Sequence, residues 1–240
     1  MARSPVWFKL SYVGIGALTA HMAWGNIEDY SVMATIQLGR IQDNSQFEAL
    51  ISQIDNSWIA EAGLSPDEYQ GVRDFQLARL TADAHFYLNC WRIVALNAFR
   101  IAKVIPDARL DQFLVDQQCT IKKKDRGLNF DNATQSVTLG WYAQGRDHFE
   151  HIDERIFGGA RWEKLKVDSS RIHPRKGHED LARDDAMYFS PPFFDGTHMV
   201  VGESAWEITP TAHNQLTGLV KQLHRIGEDI LAEQESGGSA

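Results

Sequence analysis

The sequence predicts a mainly α protein, a multi-helix bundle with a small inserted β-hairpin. The first reason is an apolar seam that recurs every three or four residues along a helix of roughly 40 residues. The second is a similar seam in the last predicted helix, and the third is a turn signal between two apolar segments just before that helix. We expect a single domain over residues 1–234, with the hairpin at about 186–208 and a disordered Gly/Ser-rich tail at 235–240.

The N-terminal quarter of the chain carries weaker signals. A strand is predicted at Val6–Val13, whereas the pattern of Asn26–Gln42 fits either a helix or a strand. Ser45–Glu48 has the Ser-x-x-Glu sequence of a capping box, in which the hydroxyl and the carboxylate pair with backbone N–H groups at the start of a helix. We therefore expect a helix to begin at Ser45 and to end near Gly63, because glycine favours helix C-termini.

The clearest predicted element follows a second capping box at Ser65–Glu68, with Pro66 at the first helical position. Pro106 ends this helix. A seam of this length has to be covered by other helices of the chain or by a partner chain. Its members, spaced by three and four residues, are Leu77, Leu80, Ala84, Tyr87, Trp91, Val94, Ala98, Ile101 and Ile105.

Two further helices and a basic turn are predicted in the middle of the chain. A short helix spans Asp107–Gln118, and Lys122–Gly127 forms a turn that carries four basic side chains. Asp131 or Asn132 caps another helix, which continues to about Ile156.

The C-terminal part of the sequence predicts two strands and a final helix. Met187–Phe189 and Met199–Ile208 have the composition of strands, and Asp195-Gly196 between them is a turn signal. The dipeptide Thr209-Pro210 then starts a helix. Its apolar seam consists of Leu216, Leu219, Leu223, Ile226 and Ile230.

Composition and charge exclude several classes of protein. Hydrophobic residues make up 43% of the 240 residues and charged residues 23%, which are the values of a globular protein rather than of a fibrous or disordered one. No stretch reaches the ~18 consecutive apolar residues of a membrane span, so we expect no membrane partner. The net charge of −8 is unlike that of a basic nucleic-acid coat protein. Two cysteines, Cys90 and Cys119, cannot form a disulfide framework, which favours a reducing, cytoplasmic location.

Most well-known catalytic signatures are missing from the sequence. It has no Gly-rich phosphate loop ending in Lys-Ser/Thr, no Gly-x-Ser-x-Gly nucleophile motif and no Cys-x-x-Cys pair. The predicted helices also lack the Glu-x-x-His pairs of di-iron bundles. We therefore expect neither a bound cofactor nor a metal.

One dense group of titratable residues remains, the segment from Arg146 to Arg155 with the sequence RDHFEHIDER. Its simplest interpretation is a solvated helix face. Arg146–Glu150 and Asp147–His151 are i,i+4 neighbours with opposite charges when the histidine is protonated, and each such pair stabilises a helix by about 0.2–0.5 kcal/mol.

A metal site is a second interpretation of the same segment. His148 and His151 are three residues apart and can face one ion. Glu150 or Asp147 is nearby. Zinc needs three or four ligands, so the others would have to come from elsewhere in the chain, for example from His85 or His21.

A third interpretation is catalytic. Arg146, followed directly by the polar Asp147 and then by His151 after three more residues, resembles the signature of the HEPN superfamily: Arg, usually a polar residue, a few further positions, then His. The resemblance implies a compact helical bundle that cleaves RNA without a metal, or an inactive relative of such an enzyme, in a setting such as a toxin or defence system. It also implies that Arg146 holds the scissile phosphate, that His151 is the general acid and base, and that Asp147 orients one of them.

The spacing of this pair bears on the oligomeric state. On an ideal helix, positions five apart are rotated by about 140°, so Arg146 and His151 do not share a face. The resemblance implies a homodimer in which both residues reach a cleft between two copies. The seam from Leu77 to Ile105 suits such an interface, and it equally suits the core of the chain itself.

Other residues fit an RNA substrate as well. Trp141 and Tyr142 either stack on a base or are buried aromatic residues, of which the second is the more common case. The basic turn is either a solvated loop or a set of contacts to an RNA backbone made by Lys122, Lys123, Lys124 and Arg126. The rival function is a non-enzymatic helical domain that binds a protein partner or oligomerises.

Overall fold

The computed structural model describes the chain at residues 15–52, 63, 65–122, 127–130, 133–150, 193–201 and 204–237. The strands predicted at Val6–Val13 and Met187–Phe189 lie outside these residues.

The described part of the chain is mainly α, as the sequence predicts. None of its helices is long and apolar enough to span a bilayer. The elements, in chain order, are α1 (Ile15–Ser52), α2 (Pro66–Val104), α3 (Ala108–Asp116), β1 (Thr120–Lys122), β2 (Gly127–Asn129), α4 (Leu139–Glu150), β3 (Phe193–Phe194), β4 (His198–Val201), β5 (Ser204–Glu207) and α5 (Pro210–Gly237).

The two longest helices, α1 and α2, form an antiparallel pair. The side-chain amide of Asn26 donates to Asn97 Oδ1 at 3.4 Å. Asn44, near the other end of α1, donates to Asp83 Oδ2 at 3.2 Å. Asp83 is buried and also pairs with Arg40 at 3.0 Å, so its charge is compensated inside the helix pair.

The helix start predicted at Ser45 is wrong, because Ser45 lies inside α1. Buried Ala34, Leu38 and Ile41 continue the helical spacing towards it, and a helix that already packs against a neighbour does not need a new cap. The segment Asn26–Gln42, whose pattern fits either a helix or a strand, is helical and lies inside α1.

Both ends of α2 confirm the sequence signals. Ser65 Oγ accepts a hydrogen bond from the Glu68 N–H at 3.3 Å, and Glu68 Oε2 accepts from the Ser65 N–H at 2.8 Å. These two bonds form the predicted capping box. The bond from the Ser65 N–H and a further bond from the Ser65 hydroxyl to Glu68 Oε2 at 2.8 Å lower the pKa of the Glu68 carboxyl. The helix ends at Val104, and the N–H of Ile105 closes the last turn just before Pro106.

The long seam of α2 belongs to the chain's own core. Its members from Leu80 to Ile101 are at most 3% exposed, and they lie in one continuous apolar cluster with residues of the other four helices. Leu77, the first member, is 40% exposed and lies outside this core. The seam was predicted to form either a dimer interface or the core of the chain itself. The structure shows that it forms the core.

The predicted helix at Asp107–Gln118 is α3, and a hairpin follows it. Asp107 caps the helix by accepting from the Arg109 N–H at 2.9 Å. Strands β1 and β2 pair antiparallel with Lys122 opposite Gly127, so the chain reverses direction between these residues, as the predicted turn requires. The strands themselves were not predicted, since three residues are too few to show an alternating pattern.

The predicted hairpin near the C-terminus is a three-stranded antiparallel sheet with the order β3-β4-β5. Gly196 has φ +104° in the turn between β3 and β4, where the sequence predicts a turn. The single strand predicted at Met199–Ile208 is wrong, because β4 and β5 are separate strands that pair with each other. A reversal inside an apolar segment has no hydrophobicity signal, and only the strand pairing reveals it.

Helix α5 confirms the predicted final helix and closes the bundle. Its buried face includes Leu216, Leu223 and Ile230. The Arg109 guanidinium donates to both carboxylate oxygens of Glu233, at 2.7 and 2.8 Å, and so joins α5 to α3. The disordered tail predicted from residue 235 is wrong for residues 235–237, which are the last residues of the helix.

Candidate functional site

Two of the three predicted catalytic residues, Arg146 and Asp147, belong to α4. Arg146 and Asp147 lie in the last five residues of this helix, whose backbone the structure describes without the side chains. His151, the next residue in the sequence after Glu150, lies outside the described residues. The structure therefore places two of the three predicted residues on one helix end.

Helix α4 begins later than the sequence predicts. Thr138 caps it, because Thr138 Oγ1 accepts from the Trp141 N–H at 3.2 Å. Residues 133–138 are not helical, so the start predicted at Asp131 or Asn132 is wrong. Asp, Asn and Thr are all favoured at the cap position. Thr138 is the cap because it lies next to the surface on which α4 packs.

That surface is the turn after α3, and Gly140 allows α4 to approach it closely. The Gly140 N–H donates to the Gln117 carbonyl oxygen at 2.9 Å. A Cβ at position 140 would lie 2.5 Å from the carbonyl oxygen of Gln118 and 2.6 Å from that of Gln117. Any other residue here would push the first turn of α4 away from the bundle.

The other end of α4 is held by a second glycine, Gly145. A Cβ there would lie 2.8 Å from the indole of Trp206 and 3.0 Å from the side chain of Leu88. Gly145 is therefore packed closely against both β5 and α2. The backbone immediately before Arg146 is fixed by this packing.

Two aromatic residues of α4 lock the helix to β5. Tyr142 donates its hydroxyl hydrogen to the Glu207 carbonyl oxygen. The Trp206 indole N–H donates to the Trp141 carbonyl oxygen at 2.7 Å, and the two indoles stack with centroids 4.9 Å apart. Trp141 is 6% exposed and Tyr142 1%, so the buried interpretation of this pair is confirmed and neither residue offers a face to an RNA base.

Strand β1, which leads into the predicted basic turn, does not lie beside the end of α4. Lys122 is the last residue of β1, whereas Lys123, Lys124 and Arg126 lie outside the described residues. Ile121, next to Lys122, lines a groove with Ala102 of α2, while Gly145 contacts Leu88 of the same helix. Residues 88 and 102 are about 21 Å apart along a helix with a rise of 1.5 Å per residue, a distance that several nucleotides would have to span.

The metal interpretation finds no support in the described residues. No group of three or more His, Cys, Asp or Glu side chains there is arranged to hold an ion. His148 is among the α4 residues described by their backbone alone, and His151 lies beyond them.

The two cysteines are buried and unreactive. Cys90 is fully buried and Cys119 is 1% exposed, and burial raises the pKa of each thiol to about 12. Thiolate is the nucleophilic form of cysteine, so neither residue is a nucleophile near neutral pH. Both cysteines belong to the apolar core.

A buried polar cluster joins three helices, and sequence reasoning missed it. His213 of α5 pairs through Nε2 with Thr35 Oγ1 at 3.1 Å and through Nδ1 with the Tyr87 hydroxyl at 3.3 Å. Burial lowers the pKa of His213 and raises that of Tyr87, so both side chains are neutral at pH 7. The cluster fixes the positions of α1, α2 and α5 rather than exposing a reactive group. Its one sequence signal is the position of His213 three residues before Leu216, on the apolar face of α5.

A second histidine of α5 also packs on α1. The ring of His224 lies edge-on to the Trp24 indole with centroids 4.2 Å apart, and its Nε2 is 3.6 Å from Glu28 Oε1. Burial lowers the pKa of His224, and the carboxylate of Glu28 opposes this shift. Its packing makes His224 a structural residue as well.

In comparisons with known proteins, no family model, no curated protein and no solved structure matches the chain.

Proposed function

We propose that this chain is a HEPN-like, metal-independent endoribonuclease, with Arg146, Asp147 and His151 as its catalytic residues. The observation that carries the proposal is the position of Arg146. It follows directly after Gly145, whose close packing against Trp206 and Leu88 fixes the backbone. A catalytic group needs such support, because a displacement of about 1 Å can cost a hundredfold in rate.

Four other reactive side chains of the described residues serve packing rather than catalysis. Burial keeps the imidazoles of His213 and His224 neutral and the thiols of Cys90 and Cys119 protonated. All four serve packing, so none of them competes with the segment after Gly145 as a catalytic group.

The chemistry follows from the two side chains. His151 takes the proton from a ribose 2′-hydroxyl, whose oxygen attacks the adjacent phosphorus while the 5′-oxygen leaves and receives a proton. Arg146 donates hydrogen bonds to the phosphate oxygens as negative charge builds on them. Asp147 accepts from one of these two groups and orients it. The products are a 2′,3′-cyclic phosphate and a free 5′-hydroxyl.

The experiment is cleavage of a fluorescein-labelled single-stranded RNA in the presence of EDTA. Wild-type protein should cleave it, and an RNA with 2′-deoxyribose at the cleaved position should resist. His151→Ala and Arg146→Ala should each lower the rate by at least a hundredfold without changing the thermal melt. The matched controls are His198→Ala and Arg225→Ala, at exposed or half-exposed positions on β4 and α5, and they should cleave at the wild-type rate. Absence of cleavage by wild-type protein overturns the proposal.

The active unit proposed is a homodimer whose cleft takes Arg146 from one copy and His151 from the other. Light scattering should give a mass of two chains. Mixing inactive Arg146→Ala with inactive His151→Ala subunits should restore about a quarter of the wild-type activity, because half of the dimers are mixed and each mixed dimer has one intact site. If mixing restores nothing, the two residues do not meet across a dimer.

A further inference from the structure

Two histidines lie on the side of α5 that packs on α1. His213 and His224 are about three helical turns apart, with a rotation of only about 20° between them. His213 is bonded to Thr35 of α1, and the ring of His224 packs on Trp24 of the same helix. The two imidazoles therefore belong to one interface between helices.

The hydrogen bonds around His213 determine where its single ring hydrogen lies. The Thr35 hydroxyl donates its hydrogen to the Ser31 carbonyl oxygen at 3.1 Å, so its oxygen accepts from the N–H at His213 Nε2. Nδ1 then accepts from the Tyr87 hydroxyl at 3.3 Å. Neutral His213 thus matches both neighbours, one as a donor and one as an acceptor.

A second ring hydrogen does not fit this arrangement. Protonated His213 would donate from Nδ1 as well, so the Tyr87 hydroxyl would have to accept and turn its own hydrogen away. Trp91, whose ring is 5.8 Å from that of His213, offers only an N–H donor. No charged group among the described residues acts on His213, and burial lowers its pKa. Protonation therefore places an uncompensated charge in this part of the interface.

The other titratable groups around the pair of His213 and Tyr87 do not compensate such a charge. Burial raises the pKa values of Tyr87, of Cys90 on α2 and of Tyr142 on α4, so these three groups are neutral near pH 7. The Glu207 carboxylate of β5 acts on Tyr87, but it accepts from Thr209 Oγ1 at 2.6 Å.

The described surroundings of His224 differ, because they include carboxylates. His224 Nε2 is 3.6 Å from Glu28 Oε1 of α1, an oxygen that also accepts from the Trp24 indole at 3.1 Å. Glu228, one turn further along α5, adds a second negative charge. Both carboxylates favour protonated His224 and oppose the effect of its burial. Acid therefore disturbs the contacts of His213 more than those of His224.

The contacts that join α1 to α2 do not depend on α5. Asn26 and Asn44 of α1 donate side-chain hydrogen bonds directly to α2. Helix α5 is joined to this pair through the two histidines and its apolar face. Loss of the His213 contacts therefore weakens the docking of α5 and leaves the α1–α2 pair in place.

We propose that His213 is an acid-sensitive latch: its protonation releases α5 from α1 and α2, whereas His224 tolerates a proton because Glu28 faces it. This device is independent of RNA cleavage. Released His213 has the ordinary pKa of about 6.5, so the docked form is favoured above this pH and loses ground below it. By linkage, the ratio of released to docked α5 should rise by up to about tenfold between pH 7.5 and 5.5.

Hydrogen exchange followed by mass spectrometry measures this release, after correction for the intrinsic pH dependence of exchange. Wild-type α5 should exchange faster than the seam of α2, and its opening should rise by up to about tenfold between pH 7.5 and 5.5. His213→Gln should remove most of this rise, because its amide can donate to one hydroxyl and accept from the other without titrating. The matched control is His224→Gln, on the same face of the same helix, which should keep most of the rise.

Glu28→Gln is a second test that leaves both histidines in place. Its amide oxygen can still accept from the Trp24 indole, but His224 loses the charge that faces it and becomes a second acid-sensitive contact. The rise in opening should therefore be larger than in wild type. Circular dichroism checks that each variant is folded.

Four results would overturn the latch. The first is a rise of less than about twofold in wild-type α5. The second is exchange of α5 and α2 at the same rate, since the release is then not local. The others are a rise that His224→Gln removes and His213→Gln keeps, and a rise that Glu28→Gln leaves unchanged.

Discussion

Replacing Gly145 with alanine tests whether the end of α4 is held as tightly as the distances indicate. The added Cβ would lie 2.8 Å from the Trp206 indole and 3.0 Å from Leu88 Cδ1. Carbon atoms in good contact are about 3.5–4.0 Å apart, so at least one neighbour has to move. Trp206 is fully buried and its N–H is bonded to the Trp141 carbonyl, which leaves the indole little freedom to retreat.

The expected loss follows from two opposing effects. Overpacking a well-filled core costs about 1–3 kcal/mol, whereas exchanging glycine for alanine inside a helix contributes about 1 kcal/mol of stability. The difference predicts that Gly145→Ala lowers the free energy of unfolding by up to about 2 kcal/mol. Since Arg146 is the next residue, the rate of RNA cleavage should fall as well.

The control is Gly218→Ala on α5, where a Cβ would meet no atom within 4 Å. This variant keeps only the helix-propensity gain and should be about 0.5–1 kcal/mol more stable than wild type. Urea unfolding followed by tryptophan fluorescence measures both. If Gly145→Ala proves as stable as Gly218→Ala, the close packing of α4 against Trp206 is refuted.

Three further variants test other contacts. Gly140→Ala should be less stable than Gly145→Ala by about 1 kcal/mol or more in the same urea assay. Its Cβ would lie 2.5 Å from the backbone oxygen of Gln118, and a backbone atom cannot rotate away as a side chain can. Equal stability of the two variants would contradict this. Burial lowers the pKa of His213 below its unfolded value of about 6.5, so the unfolded chain binds more protons than the folded one at acidic pH. The free energy of unfolding should therefore be highest near pH 7.5 and fall towards pH 5.5. In His213→Gln this fall should be shallower. Ser65→Ala should lower the free energy of unfolding by about 1 kcal/mol, because it removes the capping hydroxyl. Ser65→Thr keeps a hydroxyl, so in thermal melts it should regain most of that loss.

Signals that depend on adjacent residues predicted the structure well. The capping box at Ser65, the stop at Pro106 and the turn at Gly196 are all where the sequence indicates. Each of them acts through hydrogen bonds or backbone angles of residues within a few positions, so no knowledge of the fold is needed.

The same kind of signal was wrong where packing overrides it. Ser45 has the capping-box pattern, but α1 continues through it. Asp131 and Asn132 are residue types favoured at caps, but α4 begins after Thr138. There its first turn packs against the turn at Gln117 and Gln118. A capping pattern contributes about 1 kcal/mol, which is less than the packing of one apolar helix face.

The amino-acid order by itself determined that this is a helical protein with a long central helix and that Arg146, Asp147 and His151 are close along the chain. These properties depend on periodicity and on local spacing. The tertiary structure alone decided that the α2 seam is covered by the chain itself, that Gly145 packs closely on Trp206 and Leu88, and that β1 contacts a different part of α2 from Gly145. The physical reason is that these contacts join residues far apart in sequence, and only the packing of the helices brings such residues together.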